Sequence, residues 1–190
     1  MEDGASSTWQ DALLRLKQGN LVYIQAACNT ADISPLLRAR TCEEGQHPFA
    51  TIVSCSDSRV VPEHLFMAGI GDLFVIRCAG NVVGDIQQGS AAYAVSQAGT
   101  KLIVVLGHTH CGAVGAAIEG ASSGSVAAVT GPIMSAIRGE TDDLRACTMN
   151  VENSVAQLRR TPELAAAEAQ GEIAIMGAVY HIDTGRVGFL

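Results

Sequence analysis

Three short apolar runs constrain this chain more than any other feature: Phe49 to Ser54 (FATIVS), Leu73 to Arg77 (LFVIR) and Leu102 to Leu106 (LIVVL). Each is rich in β-branched residues, lacks the polar alternation of a half-solvated strand, and gives way to polar or small residues. They predict buried parallel strands. Between the second and third, Gly89 to Gly99 (GSAAYAVSQAG) sets Ala91, Tyr93, Ala94, Val95 and Ala98 in a packed helix, with Gly99 as its stop. That makes a βαβ crossover.

In residues 8–27, Trp9, Leu13 and Leu16 follow helical spacing, Gly19-Asn20 interrupts it, and Leu21 to Ile24 resume it. Two short helices are expected there. The small-residue stretch Gly120 to Gly131 reads as a loop. Asn150 to Arg160 puts Val151, Val155 and Leu158 on one helical face, and a further helix is expected at 162–170. Asp183-Thr184-Gly185 then turns a hairpin between two terminal strands. The expected architecture is α/β: a central, mostly parallel sheet with an antiparallel C-terminal edge strand, flanked by helices and preceded by an N-terminal helical arm. With 190 residues, 48% of them hydrophobic, one domain over 1–190 is expected, its α/β core at about 48–190.

The net charge of -7, without a Lys or Arg cluster, argues against a nucleic-acid or anionic-membrane surface and for a small-molecule partner. The first ten residues carry acids rather than a basic region, and no apolar run nears the roughly 18 residues of a membrane span. A soluble, unexported, cytoplasmic protein is expected. Its six cysteines are then reduced, and metal ligation competes with plain burial to explain them.

Ligand sites of open α/β sheets lie beyond the carboxyl ends of the strands. Cys55 directly follows the first strand, and His108 and Cys111 closely follow the third. One imidazole and two thiolates suit Zn2+ and leave a fourth tetrahedral position for water, as catalytic sites require. His110 offers a second imidazole, and spacing alone does not choose between it and His108. Asp57 and Arg59 sit two apart just after Cys55, where they can pair. The pair either fixes the loop or holds the carboxylate ionised beside a metal-bound water; both can hold together. Cys28, Cys42, Cys78 and Cys147 have no partner at ligand spacing and read as structural.

Cys55-Ser-Asp-Ser-Arg59-Val60 and Gly107-His-Thr-His-Cys111-Gly112, about fifty residues apart, resemble the two signatures of the β-class carbonic anhydrases. Gly45-Gln46-His-Pro48, Gly71 to Arg77, Ala79-Gly-Asn81, Gly177 to Tyr180 and Asp183-Thr-Gly185 extend the similarity over most of the chain. The resemblance implies reversible hydration of carbon dioxide to bicarbonate through a zinc-bound hydroxide, with one Zn2+ per subunit. It makes Cys55, His108 and Cys111 the ligands, choosing His108 over His110, and Asp57 with Arg59 the catalytic dyad. Gln46 would hydrogen-bond substrate, Phe74 and Tyr93 would line the carbon dioxide pocket, and the Gly112 amide would hold bicarbonate. It further implies a homodimer or homotetramer in which Gln46, Phe74 and Tyr93 come from the chain opposite the zinc. Two positions depart from the pattern. Cys78 stands where Asn or a small aliphatic residue is frequent, and Ile52 where bicarbonate-inhibited members carry Trp.

The rival on the same scaffold is a hydrolase of carbonyl sulfide or carbon disulfide. A non-enzymatic zinc or redox sensor using Cys55, Cys78 and Cys111 is the rival of another class, against which the Asp57-Arg59 pair speaks. His110 or His64 could relay the product proton to buffer.

Overall fold

A computed structural model describes residues 8–190; the first seven residues of the expected 1–190 domain lie outside the described residues. Helix α1 (Trp9–Tyr23) leads to α2 (Pro35–Glu44) and strand β1 (Ala50–Cys55), followed by the one-turn α3 (Pro62–Leu65) and β2 (Leu73–Cys78). Next come α4 (Asp85–Ser96), β3 (Leu102–His108), α5 (Gly112–Ile118), α6 (Ala127–Ile137), α7 (Asp143–Leu158), α8 (Pro162–Ala169), β4 (Ala174–Tyr180) and β5 (Val187–Phe189). The sheet runs in the order β2-β1-β3-β4-β5, with β1 to β4 mutually parallel and β5 antiparallel at the edge. This is the expected α/β architecture.

Every residue of β1 and β3 is buried. Because side chains alternate across a strand, each strand feeds two cores. Ile52, Val104 and Leu106 pack with Leu16, Leu65 and Phe66 on the α1 side. Val53, Ile103 and Val105 pack with Val151, Val155 and Leu158 of α7 and Leu164 of α8 on the other. Both faces covered is the condition under which parallel strands read as continuous apolar runs.

Two expectations are corrected. The arm is one continuous helix rather than two, because Gly19 does not break α1 but lets it touch α3. A Cβ at Gly19 would lie 2.0 Å from the Phe66 carbonyl oxygen. Beside it, buried Asn20 donates to the Leu65 and Gly185 carbonyls at 3.2 and 2.9 Å and accepts from the Val187 amide at 2.9 Å. The second correction concerns Gly120 to Gly131, whose latter part is helical as the start of α6. Thr130, Ile133 and Ile137 form its buried face, a stripe that the reading as a loop cut in half at Gly131. No expectation was stated for α2, which buries no residue and so carries no apolar stripe; its Ser34 cap, accepting from the Leu37 amide, and Pro35 start are its sequence signals.

The helix expected at 150–160 begins earlier, at Asp143, where Asp142 caps α7 by accepting from the Arg145 amide at 2.9 Å. The terminal hairpin is present, its turn closed by the Gly185 amide on the His181 carbonyl, with Gly185 at φ +76°. No helix among the described residues is long and apolar enough to cross a membrane.

Candidate metal centre

Strand register aligns the ends of the four parallel strands: Cys55 pairs with Cys78, and His108 with Tyr180. The chain leaving β3 turns through His110, held at φ +56°, so that Cys111, the residue capping α5, comes back toward Cys55. One ligand atom each from Cys55, His108 and Cys111 lies within 4.8 Å of the others, and all three residues are buried. His110 lies outside this group. Its exposed imidazole approaches Asp143 at 3.8 Å. It acts through its backbone, donating its amide to Asp143 at 2.9 Å and accepting from Arg59 Nη2 at 3.1 Å.

Three observations bear on whether this group fits a metal. His108 Nδ1 lies 2.9 Å from the Thr109 carbonyl, which leaves Nε2 as the remaining donor atom, and Nε2 is buried without a hydrogen-bond partner. Nitrogen of that kind is costly in a protein interior unless it ligates. The two sulfurs stand 4.0 Å apart, close to the spacing of about 3.8 Å that two Zn–S bonds of about 2.3 Å span at the tetrahedral angle. Their titrations are also split. Cys55 is drawn well below the usual thiol range, first by the hydrogen bond with Cys111, while Cys111 is pushed far up, first by Cys55. Two adjacent sulfurs cannot both ionise unless a cation joins them. The donor set fits a divalent, thiophilic metal.

The Cys55 sulfur also accepts from the Asp57 amide at 3.4 Å and the Gly80 amide at 3.2 Å. Cys78, its strand neighbour, does not join the group: its thiol donates to the Val82 carbonyl at 2.9 Å, and burial, then Cys55, push it up to about 11.

Asp57 and Arg59 do pair. Arg59 reaches both carboxylate oxygens, Nε to Oδ1 at 3.0 Å and Nη2 to Oδ2 at 2.7 Å, and its amide adds a bond to Oδ1 at 2.9 Å. This fork holds the carboxyl down at about 2. Asp57 Oδ2 stands 3.9 Å from His108 Nε2 and so faces the ligand atoms.

Sequence reasoning gave Arg77 no role. Its guanidinium donates to the carbonyls of Cys55 at 3.2 Å, Asp57 at 2.9 Å and Val60 at 2.8 Å, tying down the whole loop that carries the dyad. The available signal was a cation closing an otherwise apolar strand, which at the sheet edge is only half-buried. His64, on α3, shares with Arg59 a cleft of about 380 Å3. A concavity of about 720 Å3 between α2 and the 67–72 turn contains none of the clustered residues.

Of the four expected substrate-binding residues, three are not gathered with the cluster. Gly112 opens α5 immediately after Cys111. Phe74, however, pairs with Thr51, four residues before the Cys78–Cys55 register, which puts it about 13 Å down the sheet from the centre. Tyr93 contacts it with ring centroids 6.2 Å apart and is 54% exposed, and Gln46 is exposed ahead of β1.

Comparison with known proteins gives a consistent picture. The sequence profile of the carbonic anhydrase family matches residues 50–187. A carbonic anhydrase of Mycolicibacterium smegmatis is 37% identical over 185 residues, covering 90% of this chain and 88% of that protein. Carbonic anhydrase 2 of Mycobacterium tuberculosis is 39% identical over 182 residues, covering 90% and 87%. The solved Coccomyxa β-carbonic anhydrase in complex with acetazolamide superposes with a TM-score of 0.68 at 29% identity, covering 85% of this chain and 87% of that one.

Proposed function

The chain belongs to the β-carbonic anhydrase family, and from that premise we propose that it is a zinc-dependent carbonate dehydratase interconverting carbon dioxide and bicarbonate. The observation that carries the reading is the buried Cys55, His108 and Cys111 group with the Asp57-Arg59 pair facing it. Cys55 Sγ, Cys111 Sγ and His108 Nε2 would hold the Zn2+. Bound there, the ion supplies Lewis acidity that brings the pKa of a water toward roughly 7.

Arg59 occupies its fork with Asp57 and so keeps that carboxylate ionised and fixed in rotation. A carboxylate held below its usual range does not take up a proton at neutral pH; it accepts a hydrogen bond at Oδ2. That acceptor orients the attacking water, turning its lone pair toward the substrate carbon. The Gly112 amide, at the start of α5, binds an oxygen of bicarbonate. Cys55 and Cys111 are at most 4% exposed, which keeps bulk water from the sulfurs.

Gln46, Phe74 and Tyr93 bind substrate from a second copy of the chain. Their distance from the centre within one protomer and the exposure of Tyr93 support a homodimer or homotetramer with the active site at the subunit boundary. The deciding experiment is stopped-flow carbon dioxide hydration measured beside carbonyl sulfide hydrolysis on one zinc-loaded sample. Fast hydration with little hydrolysis is expected; the reverse ratio makes the chain a hydrolase, and inertness toward both ends the enzymatic reading.

A further inference from the structure

The Cys55 sulfur takes a hydrogen bond from Gly80, and Gly80 is held in turn by a helix that contributes nothing to the ligand set. Gly80 and Asn81 follow β2 and are consecutive left-handed residues, at φ +66° and +45°. A non-glycine residue in that region costs roughly 1–2 kcal/mol and persists only where the surroundings fix it. Two side chains of α7 do so: Asn150 Nδ2 donates to the Gly80 carbonyl at 2.7 Å, and Ser154 Oγ to the Asn81 carbonyl at 3.0 Å. Both bonds are buried, with Asn150 and Ser154 each 1% exposed. A side chain at Gly80 would be strained at φ +66°, and its Cβ would crowd Ile133 Cδ1 at 2.7 Å and Ala113 Cβ at 3.1 Å.

We infer that Asn150 is a positioning residue of the metal centre: by gripping the Gly80 carbonyl it aims the Gly80 amide at Cys55 Sγ. The inference rests on the metal reading above. An N–H aimed at a thiolate takes up part of its charge and fixes the direction of its remaining lone pairs, the service that outer partners render to ligands. Losing such a partner typically weakens metal binding about 10–100-fold. The Ser154 bond, one peptide further on, fixes the exit of the turn rather than the amide that reaches sulfur.

The test compares the full-length wild type with Asn150→Ala, which removes the donor, Asn150→Ser, which shortens it, and Ser154→Ala. Zn2+ affinity is read by chelator competition. The Gly80 bond is read directly, as scalar coupling between an NMR-active cadmium isotope at the centre and the Gly80 amide proton through sulfur. Wild type should show the coupling. Both Asn150 variants should lose it and bind Zn2+ about 10–100-fold more weakly, while Ser154→Ala stays within about threefold. Coupling that persists in either Asn150 variant, or is missing from metal-loaded wild type, overturns the inference. A wild type that binds neither ion overturns the metal reading itself, and the two failures are thereby told apart.

Discussion

At the scale of single residues, His108 and His110 differ in which way the backbone presents them. His108 ends a strand with its side chain buried, whereas His110 makes the left-handed turn with its imidazole outside. His110→Asn, a residue that tolerates this turn, should therefore keep full metal content and most hydration activity. His108→Ala should lose the metal, as elemental analysis of the purified variants will show. Asp57→Ala is the complementary case: metal content should match wild type while hydration at neutral pH falls by at least about 100-fold. Undiminished turnover there would remove the dyad from the reaction. The thiols, by contrast, were legible only as a set, because burial alone suits Cys147 as well as Cys111. Cys147 is pushed up to about 12 by burial first and Asp143 second, an inert thiol among the apolar residues around the centre.

Secondary-structure elements raise a different question, that of close approach. Gly19→Ala adds a better helix former to α1, worth about 1 kcal/mol in isolation. Its Cβ nevertheless meets the Phe66 backbone, which cannot rotate away, so a net loss of about 1–3 kcal/mol is expected in urea unfolding. A second element-level contact joins α7, α8 and β4. Arg159 donates to both Glu168 oxygens at 2.8 and 2.9 Å, and Glu168 accepts from the Ile175 amide at 3.1 Å. Burial pulls the Glu168 carboxyl up, but Arg159 and the amide outweigh it and leave it lowered. A depressed carboxyl stabilises the fold above its unfolded pKa of about 4.3 and loses that contribution as pH falls through its folded value. Glu168→Gln should thus cost up to about 1 kcal/mol at pH 7, screened as half-exposed pairs are. The difference should shrink steadily below about pH 4; a constant difference across pH would refute the ion pair as its source.

For the molecule as a whole, metal and assembly are the two couplings to measure. A ligand that binds only the folded chain stabilises it by mass action. Removing Zn2+ with a chelator should lower Tm and abolish hydration together, and adding Zn2+ back should restore both. If substrate residues come from a neighbouring copy, activity per chain should fall as dilution separates subunits, in step with the mass seen by sedimentation. Constant specific activity through dissociation would place the complete site in one protomer.

The residues themselves determined the mostly parallel sheet with its antiparallel edge strand and, through the family motifs, the candidate group Cys55, His108 and Cys111. Apolar runs have few ways to be buried, and a motif of chemically distinctive side chains survives without coordinates. Tertiary structure decided what depends on distance between segments far apart in sequence. Gly19 in isolation signals a break, and only the Phe66 carbonyl beneath it makes it a contact. Arg77 and Asn150 touch backbone carbonyls, and a carbonyl carries no sequence signature that could announce its partner. The candidate metal centre was therefore legible as a list of three residues. The side chains that grip the backbone beside them, an arginine on β2 and an asparagine on α7, came into view only when the chain was folded, because their partners are backbone atoms that every residue shares.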